Sequence, residues 1–141
     1  MLVKRLGDIR SERGGSLMVT VSRRTPADLA TYLGQSLEHE HTVIYTGSGD
    51  NPYHGFLAYA DYIICTTDST SMISDAATTG KPVELFPLPG TSARHARFMR
   101  HLAELGVGTK DGAYVPFDDA GRVAAAVKTL LNNAKHIIQD K

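Results

Sequence analysis

The sequence has little of several features that would point directly to a function. It contains one cysteine, Cys65, which excludes an internal disulfide and fits a reducing compartment. Fifteen basic residues balance fifteen acidic ones, so there is no general electrostatic case for binding nucleic acid or an anionic membrane. Any anion-binding site must therefore be local.

Long apolar runs are also missing. The longest apolar segments have only a few residues, which is too short to span a membrane. The N-terminal segment MLVKRLGDIRSERGG has no apolar core of signal-peptide length. We therefore expect a cytoplasmic protein without a transmembrane segment, with peripheral attachment to the inner membrane as the alternative.

The composition that remains is that of a globular protein. The chain has 141 residues, of which 42% are hydrophobic, and this is enough to form a core. Residues 1–15 are polar, and this composition predicts that they form a lead-in or linker. Residues 16–141 predict one α/β domain.

Strand-like and helix-like segments alternate from residue 16 onward. The predicted strands are 16–22, 41–47, 61–67 and 82–88, with a weak one at 113–115. The predicted helices are 25–37, a short one after 52, one within 68–80, and then 91–105 and 119–136. This alternation predicts an α/β, Rossmann-like three-layer sandwich with a mainly parallel sheet. Ligands of such sheets bind at the carboxyl ends of the strands.

The segment TTDSTSMISDAATTGKP, residues 66–82, is rich in small polar side chains where a buried strand ends. Helical spacing divides it into two faces. The face that can pack close to a sheet consists of Ile73, Ala76, Ala77 and Gly80. The polar face, which can line a cleft, consists of Ser71, Asp75 and Thr78.

The turn before this helix contains Asp68, Ser69 and Thr70. A helix N-terminus there would favour a phosphate through its dipole and its unpaired N–H groups. The Asp68 carboxylate would repel that phosphate unless it turned aside or capped the helix. In the alternative interpretation, Asp68 or Ser69 is an ordinary N-cap and the remaining hydroxyls face solvent.

The loop SRRTP, residues 22–26, follows the first predicted strand. Arg23 and Arg24 could hold a diphosphate through bidentate hydrogen bonds, or could be two solvated surface arginines. Thr25 is the predicted N-cap of the next helix, with Pro26 at its first position.

The loop TGSGDNPY, residues 46–53, contains Gly47 and Gly49 but lacks the dinucleotide-binding fingerprint. We interpret it as a tight turn in which Asp50 or Asn51 caps the following helix.

The loop and helix PLPGTSARHARFMR, residues 87–100, follow the fourth predicted strand. Thr91 and Ser92 are candidate N-caps. Three arginines recur every three residues and form either a basic face for an anionic ligand or a solvated face: Arg94, Arg97 and Arg100.

Patterns typical of catalysis are not found. His39 and His41 have no partner at metal-ligand spacing and are interpreted as a surface pair. Ser48 does not lie in a nucleophile elbow, and Cys65 fits a small core residue. No carboxylate pair suggests an acid and a base. The residues favour binding over bond breaking, so we assign no catalytic residue, no metal ligand and no required cofactor.

Several of these motifs are found together in a known family. SRRTP and GDNPYHGFLAYADYIICTTDSTSMISDAATTGKPV resemble the bacterial proteins related to the plant mitochondrial-fission ELM-type protein. Those proteins are often labelled nucleoside-diphosphate-sugar epimerases. The motifs D-N-P-Y, A-D, T-D-S-x-S-M-I-S and T-G-K-P-V occur in the expected order over residues 22–83. The family in turn is similar to the GT-B glycosyltransferases and the UDP-sugar 2-epimerases.

The resemblance implies the fold of a GT-B C-terminal domain with a nucleoside-diphosphate-sugar as ligand. Asp75 would bind the ribose hydroxyls, whereas many GT-B members have Glu at this position. Ser69, Thr70 and Ser71 would meet the diphosphate, and Arg23 or Arg24 would match a basic residue after the first strand.

The resemblance also implies a longer protein. An N-terminal half-domain would supply the acceptor site and often the catalytic base of a glycosyltransferase or epimerase, so this chain alone should turn over little. The alternative from another class is a non-catalytic protein-interaction module on the same fold.

Overall fold

The structure is a computed structural model that describes residues 1–22, 25–90, 92–108 and 113–139, with side chains described through residue 132. The described residues form an α/β structure of six helices and four short strands. In chain order these are α1 (Leu2–Arg13), β1 (Leu17–Thr20), α2 (Ala27–Ser36), β2 (Thr42–Tyr45), α3 (Tyr53–Tyr59), β3 (Ile63–Thr66), α4 (Thr70–Thr78), β4 (Val83–Phe86), α5 (Ala93–Glu104) and α6 (Asp119–Gln139).

The chain folds as two compact units, Met1–Ile63 and Ile64–Lys141. In the first unit, β1 and β2 pair in parallel, from Leu17 opposite Thr42 to Thr20 opposite Tyr45. Helix α2 connects them, as the crossover between parallel neighbours requires. The predicted parallel pairing is therefore confirmed for these strands.

Helix α2 differs in detail from its prediction. Thr25 is not its N-cap, because Pro26 occupies that position and the helix begins at Ala27. The Thr25 hydroxyl instead accepts a hydrogen bond from the Ser22 N–H at 3.1 Å, which closes the turn before the helix.

Leu29, Leu33 and Leu37 recur every four residues along α2, but only part of this series is buried. Leu33 and Leu37 are buried, but Leu29 is 44% exposed and Ala30 is buried in its place. A spacing of exactly four residues drifts around a helix with 3.6 residues per turn. Leu29, the first leucine of the series, therefore falls off the face that buries Leu33 and Leu37.

Residues 1–15, predicted to be a polar lead-in, contain helix α1. Leu6 and Ile9 lie one turn apart on it and are both buried, and the Arg13 guanidinium lies 4.2 Å from the centre of the Tyr62 ring. Two apolar residues among many charged ones gave a weak helical pattern, which explains why the helix was not predicted. The domain boundary at residue 16 stays a prediction.

In the second unit, β3 pairs with β4 and helix α4 connects them. The Thr67 N–H extends the pairing by donating to the Phe86 carbonyl at 2.9 Å. The predicted packing face of α4 is confirmed for Ile73, Ala76 and Ala77, each 0% exposed.

Gly80 lies just beyond the end of α4 rather than within it. Its φ of 71° is in the left-handed region, and a Cβ added there would lie 2.9 Å from the Pro116 Cγ. Glycine satisfies both the backbone angle and the close approach.

The predicted strand at 113–115 is wrong. Residues 113–118 contain no strand, and Glu84 of β4 forms an isolated parallel bridge with Gly108 instead. Tyr114 is held through its side chain, because its hydroxyl donates to the Lys81 carbonyl at 2.7 Å. A side-chain anchor therefore replaces the expected strand ladder.

Helix α5 begins at Ala93, and its N-cap is Ser92, one of the two predicted candidates, whose hydroxyl accepts from the His95 N–H at 3.2 Å. Its Leu102 side chain is 0% exposed. Helix α6 has an apolar side that faces solvent, with exposures of 47–68% at Val123, Val127, Leu130 and Leu131.

None of the helices within the described ranges combines the length and hydrophobicity that a bilayer crossing requires.

We expect Val83→Ala to lower the free energy of unfolding by about 2 kcal/mol, because Val83 is 1% exposed and its truncation leaves a cavity. Val115→Ala is the matched control, since Val115 is 84% exposed in an irregular segment. Urea unfolding followed by circular dichroism measures both variants. Equal losses would contradict the position of Val83 in the core.

Candidate functional site

The candidate site begins where β3 ends and α4 starts. Ser69 occupies the N-cap position and is 5% exposed, but its side chain makes no capping hydrogen bond. Its hydroxyl lies 3.3 Å from that of Ser71 instead. Ser69 is therefore the N-cap residue by position, as in the alternative interpretation, but it does not cap through its side chain, and the two hydroxyls form a small polar group at the helix start.

The polar face of α4 continues from this group. Ser71 and Thr78 are exposed and Asp75 is half-buried, while Thr70 is exposed in the first turn. The Thr78 hydroxyl donates to the Asp75 backbone carbonyl at 2.7 Å. The structure thus places four of the predicted binding residues, from Ser69 to Asp75, on one short helix and its cap.

Two carboxylates give this region a negative side-chain potential. Burial raises the pKa of the Cys65 thiol to about 11, and the charges of Asp75 and Asp68 add to the increase. The Cys65 thiol also lies 3.9 Å from the Met72 carbonyl. Cys65 is therefore a core residue, as predicted. Its thiol is protonated, and part of the increase in its pKa comes from the two nearby carboxylates.

A cavity of about 240 Å³ lies beside the turn, within the second unit. It is bounded by the segments that follow β3 and β4 and by the first turn of α5. The lining residues are Thr67, Asp68, Leu88, Pro89, Gly90, Ser92 and His95. Carboxyl ends of neighbouring strands are where open α/β sheets bind ligands.

Two polar side chains of this lining are well shielded. Thr67 is 5% exposed, and its hydroxyl accepts from the Leu88 N–H at 2.9 Å while keeping its own proton to donate. The His95 Nε2 is inaccessible to solvent and has no hydrogen-bond partner in the part of the chain that the structure describes. Such an unsatisfied atom costs about 1–3 kcal/mol.

His95 was not among the predicted site residues. A signal was present, because the sequence G-T-S-A-R-H places a histidine in the first turn of a helix that follows a strand. The three arginines of this helix attracted attention instead, and all three are exposed: Arg94, Arg97 and Arg100. Their exposure agrees with the solvated-face alternative.

The remaining predicted loops have the following outcomes. Arg23 and Arg24 lie outside the described residues, so their part in the site stays a prediction. The interpretation of TGSGDNPY as a turn is supported, because Gly47 and Gly49 have positive φ angles. The Asn51 side chain accepts from the Tyr53 N–H at 3.0 Å at the start of α3.

The histidine pair lies in the first unit. Both side chains are exposed, and the His39 Nδ1 accepts from the His41 N–H at 3.2 Å. Within the described residues, no group of three side chains could hold a metal ion.

A broad, open hollow of about 550 Å³ also occurs in the first unit, along α2 and β2. The described residues that line it have no cationic side chain to attract a phosphate when His39 is neutral. They are Thr31, Gly34, Gln35, Glu38, His39, Thr42, Ile44 and Thr46.

Comparison with known proteins places the chain in a family. A family model described as "Mitochondrial fission ELM1" matches residues 1–131. The chain belongs to the mitochondrial fission ELM1 family. The resemblance inferred from the sequence motifs is thereby confirmed, and the match includes the N-terminal segment that carries α1.

Two curated relatives extend this result. The chain is 33% identical over 124 residues to "Mitochondrial fission protein ELM1" of Arabidopsis thaliana. The aligned region covers 81% of this chain and 29% of that protein. It is 34% identical over 140 residues to an uncharacterized protein of Rickettsia prowazekii (strain Madrid E), covering 89% of this chain and 39% of that one. The chain thus spans less than half the length of either relative. No solved structure matches.

We expect Asp75→Asn to lower the pKa of Cys65, because it removes a nearby negative charge without changing the size of the side chain. At any pH below about 11 the thiolate fraction then rises, so native-state alkylation by iodoacetamide becomes faster. Mass spectrometry across pH 8–10 measures the rate.

Asp61→Asn is the matched control for this experiment. Asp61 is exposed and precedes β3, at the opposite end of the strand from the site. Identical alkylation profiles for the two variants would contradict the proximity of Asp75 to Cys65.

Proposed function

We propose that this chain is a nucleotide-sugar-binding half-domain of a GT-B-type glycosyltransferase or nucleoside-diphosphate-sugar epimerase. The observation that carries the proposal is the start of α4, where the polar groups from Ser69 to Asp75 lie beside a cavity at the carboxyl ends of β3 and β4. Family membership supports it through the motifs in this segment.

The proposed ligand contacts follow from the chemistry of α4. The Ser69 side chain does not cap the helix, so backbone N–H groups of the first turn can meet a diphosphate, where the helix dipole is also favourable. The hydroxyls of Ser69, Thr70 and Ser71 add neutral donors. Asp75, nearly one turn beyond Ser71, accepts hydrogen bonds from the ribose hydroxyls.

Positive charge must come from outside this helix, because Asp68 and Asp75 are both acidic. Arg23 and Arg24 are the proposed source, on the sequence argument alone, and would hold the diphosphate by bidentate hydrogen bonds. An N-terminal half-domain is the proposed partner that completes the cleft. No cofactor is required in this scheme, and the nucleotide-sugar itself is the ligand.

We expect one of three nucleoside diphosphates (UDP, GDP or ADP) or its sugar form to shift the backbone amide resonances of Ser69 to Asp75. Asp75→Ala should lower the affinity for that ligand by about tenfold, because it removes a hydrogen bond to a charged group. Titration of the ¹⁵N-labelled chain measures both effects. Arg23→Ala should also lower the affinity for the diphosphate, but the contact between Asp75 and the ribose should remain.

Asp61→Ala serves as the control, because Asp61 is an exposed aspartate at the amino end of β3. The affinity of Asp61→Ala for the nucleotide ligand should equal that of the unaltered chain. If none of the six ligands moved the amides from Ser69 to Asp75, the proposed site would be wrong.

A second candidate function is a protein-interaction module, and the surface of α6 favours it. Val123, Val127, Leu130 and Leu131 form an exposed apolar stripe. The stripe is wider than a coiled-coil seam and contains no charge, which suits a helix that lies in the apolar groove of a folded partner. The relative from Arabidopsis thaliana is named a mitochondrial fission protein, and that name specifies no nucleotide chemistry.

For this candidate, we expect a partner protein to be retained in a pull-down by the unaltered chain and by Asp75→Ala, but to be lost with Leu130→Glu. A charge within the stripe would be buried against the partner without a counter-charge. Asn132→Glu places the same charge on the opposite side of α6 and is the matched control. Equal retention by both glutamate variants would contradict the role of the stripe.

A further inference from the structure

We infer that the cavity lined by Asp68 and His95 receives the sugar ring of the nucleotide-sugar, and that His95 is one of its binding residues. This inference rests on the proposed function and names the part of the ligand that the cavity would take. The diphosphate lies outside the cavity, over the start of α4.

The size of the cavity indicates which part of the ligand it can receive. Its volume is about 240 Å³, which is smaller than the range of about 300–1,000 Å³ for pockets that enclose drug-sized ligands. A whole nucleotide-sugar does not fit, but a single ring of that ligand does. The cavity adjoins the turn at Asp68, so the ring and the diphosphate can be bound at the same time.

The charge of the lining also favours the sugar over the diphosphate. Asp68 contributes a carboxylate to the cavity, and the described residues that line it include no lysine or arginine. A carboxylate repels a phosphate group but accepts hydrogen bonds from hydroxyl groups. The lining therefore favours a neutral, hydroxyl-rich group over an anion.

The remaining lining complements a sugar ring. The Thr67 hydroxyl keeps a proton to donate after it accepts from the Leu88 N–H. Leu88 and Pro89 provide an apolar wall for the C–H face of the ring.

His95 adds the observation that points most directly to a ligand. Its imidazole lines the cavity, yet the described residues provide no hydrogen-bond partner for its shielded Nε2. An imidazole nitrogen can accept from a hydroxyl or donate to it, so a turn of the ring toward the cavity would let a sugar hydroxyl satisfy this atom. The backbone N–H of His95 donates to the Ser92 hydroxyl at 3.2 Å, which holds in place the first turn of α5 that carries this imidazole.

The test compares each nucleoside diphosphate with its sugar form: UDP with UDP-glucose, GDP with GDP-mannose, and ADP with ADP-glucose. In the full 141-residue chain, the sugar form should additionally move the His95 imidazole ¹⁵N resonances and the Asp68 amide. His95→Ala and Asp68→Asn should each reduce the affinity gained from the sugar by about three- to tenfold, as expected for one hydrogen bond. Affinity for the diphosphate alone should be unchanged by His95→Ala.

His101→Ala is the matched control. His101 lies on the same helix but is exposed and beside Glu104, so its loss should leave both affinities unchanged. The imidazole measurement on the unaltered chain decides the question even if His95→Ala does not fold.

The outcomes separate the two proposals. If the diphosphates shift Ser69 to Asp75 but their sugar forms leave His95 and Asp68 unmoved, the sugar site is wrong and the nucleotide site stands. If no ligand shifts Ser69 to Asp75, the nucleotide site is wrong and the sugar site falls with it.

Discussion

The close packing of α4 is the constraint on which the candidate site depends. Ile73, Ala76 and Ala77 are all 0% exposed, and two of the three are alanines. Small side chains allow a helix to approach its neighbours closely, and dense packing then leaves little freedom in its position. The start of α4 is consequently fixed at the end of β3, and the polar side of the helix is left for other contacts.

The electrostatics of the site follow from this placement. Asp75 lies on the side of α4 that is left half-buried, close enough to Cys65 to raise the pKa of its thiol. The helix start offers positive partial charge from its backbone, while the side chains of Asp68 and Asp75 are negative. These opposing fields lie next to each other, which suits a ligand with an anionic part and a hydroxyl-rich part. A nucleotide-sugar has both.

The two candidate functions use different surfaces of the chain. Nucleotide-sugar binding uses the polar groups around α4 and the cavity beside them, whereas a protein-interaction role uses the apolar stripe of α6. The same chain can carry both surfaces, because their residues do not overlap. Membership in the mitochondrial fission ELM1 family is compatible with either role, since the chain covers only 29% and 39% of two longer relatives.

The sequence by itself determined the α/β alternation, the two faces of α4 and the family, because these follow from periodicity and from motifs local in the chain. It did not determine the burial of the apolar residues of α1 and α6. The stripe of α6 has a good helical pattern but faces solvent, and α1 buries Leu6 and Ile9 despite a weak one. Only the tertiary structure brought His95 next to Asp68 and Thr67, because the residues after β3 and β4 meet through strand pairing. Local spacing carries no information about that pairing, and so the cavity could not be predicted from the sequence.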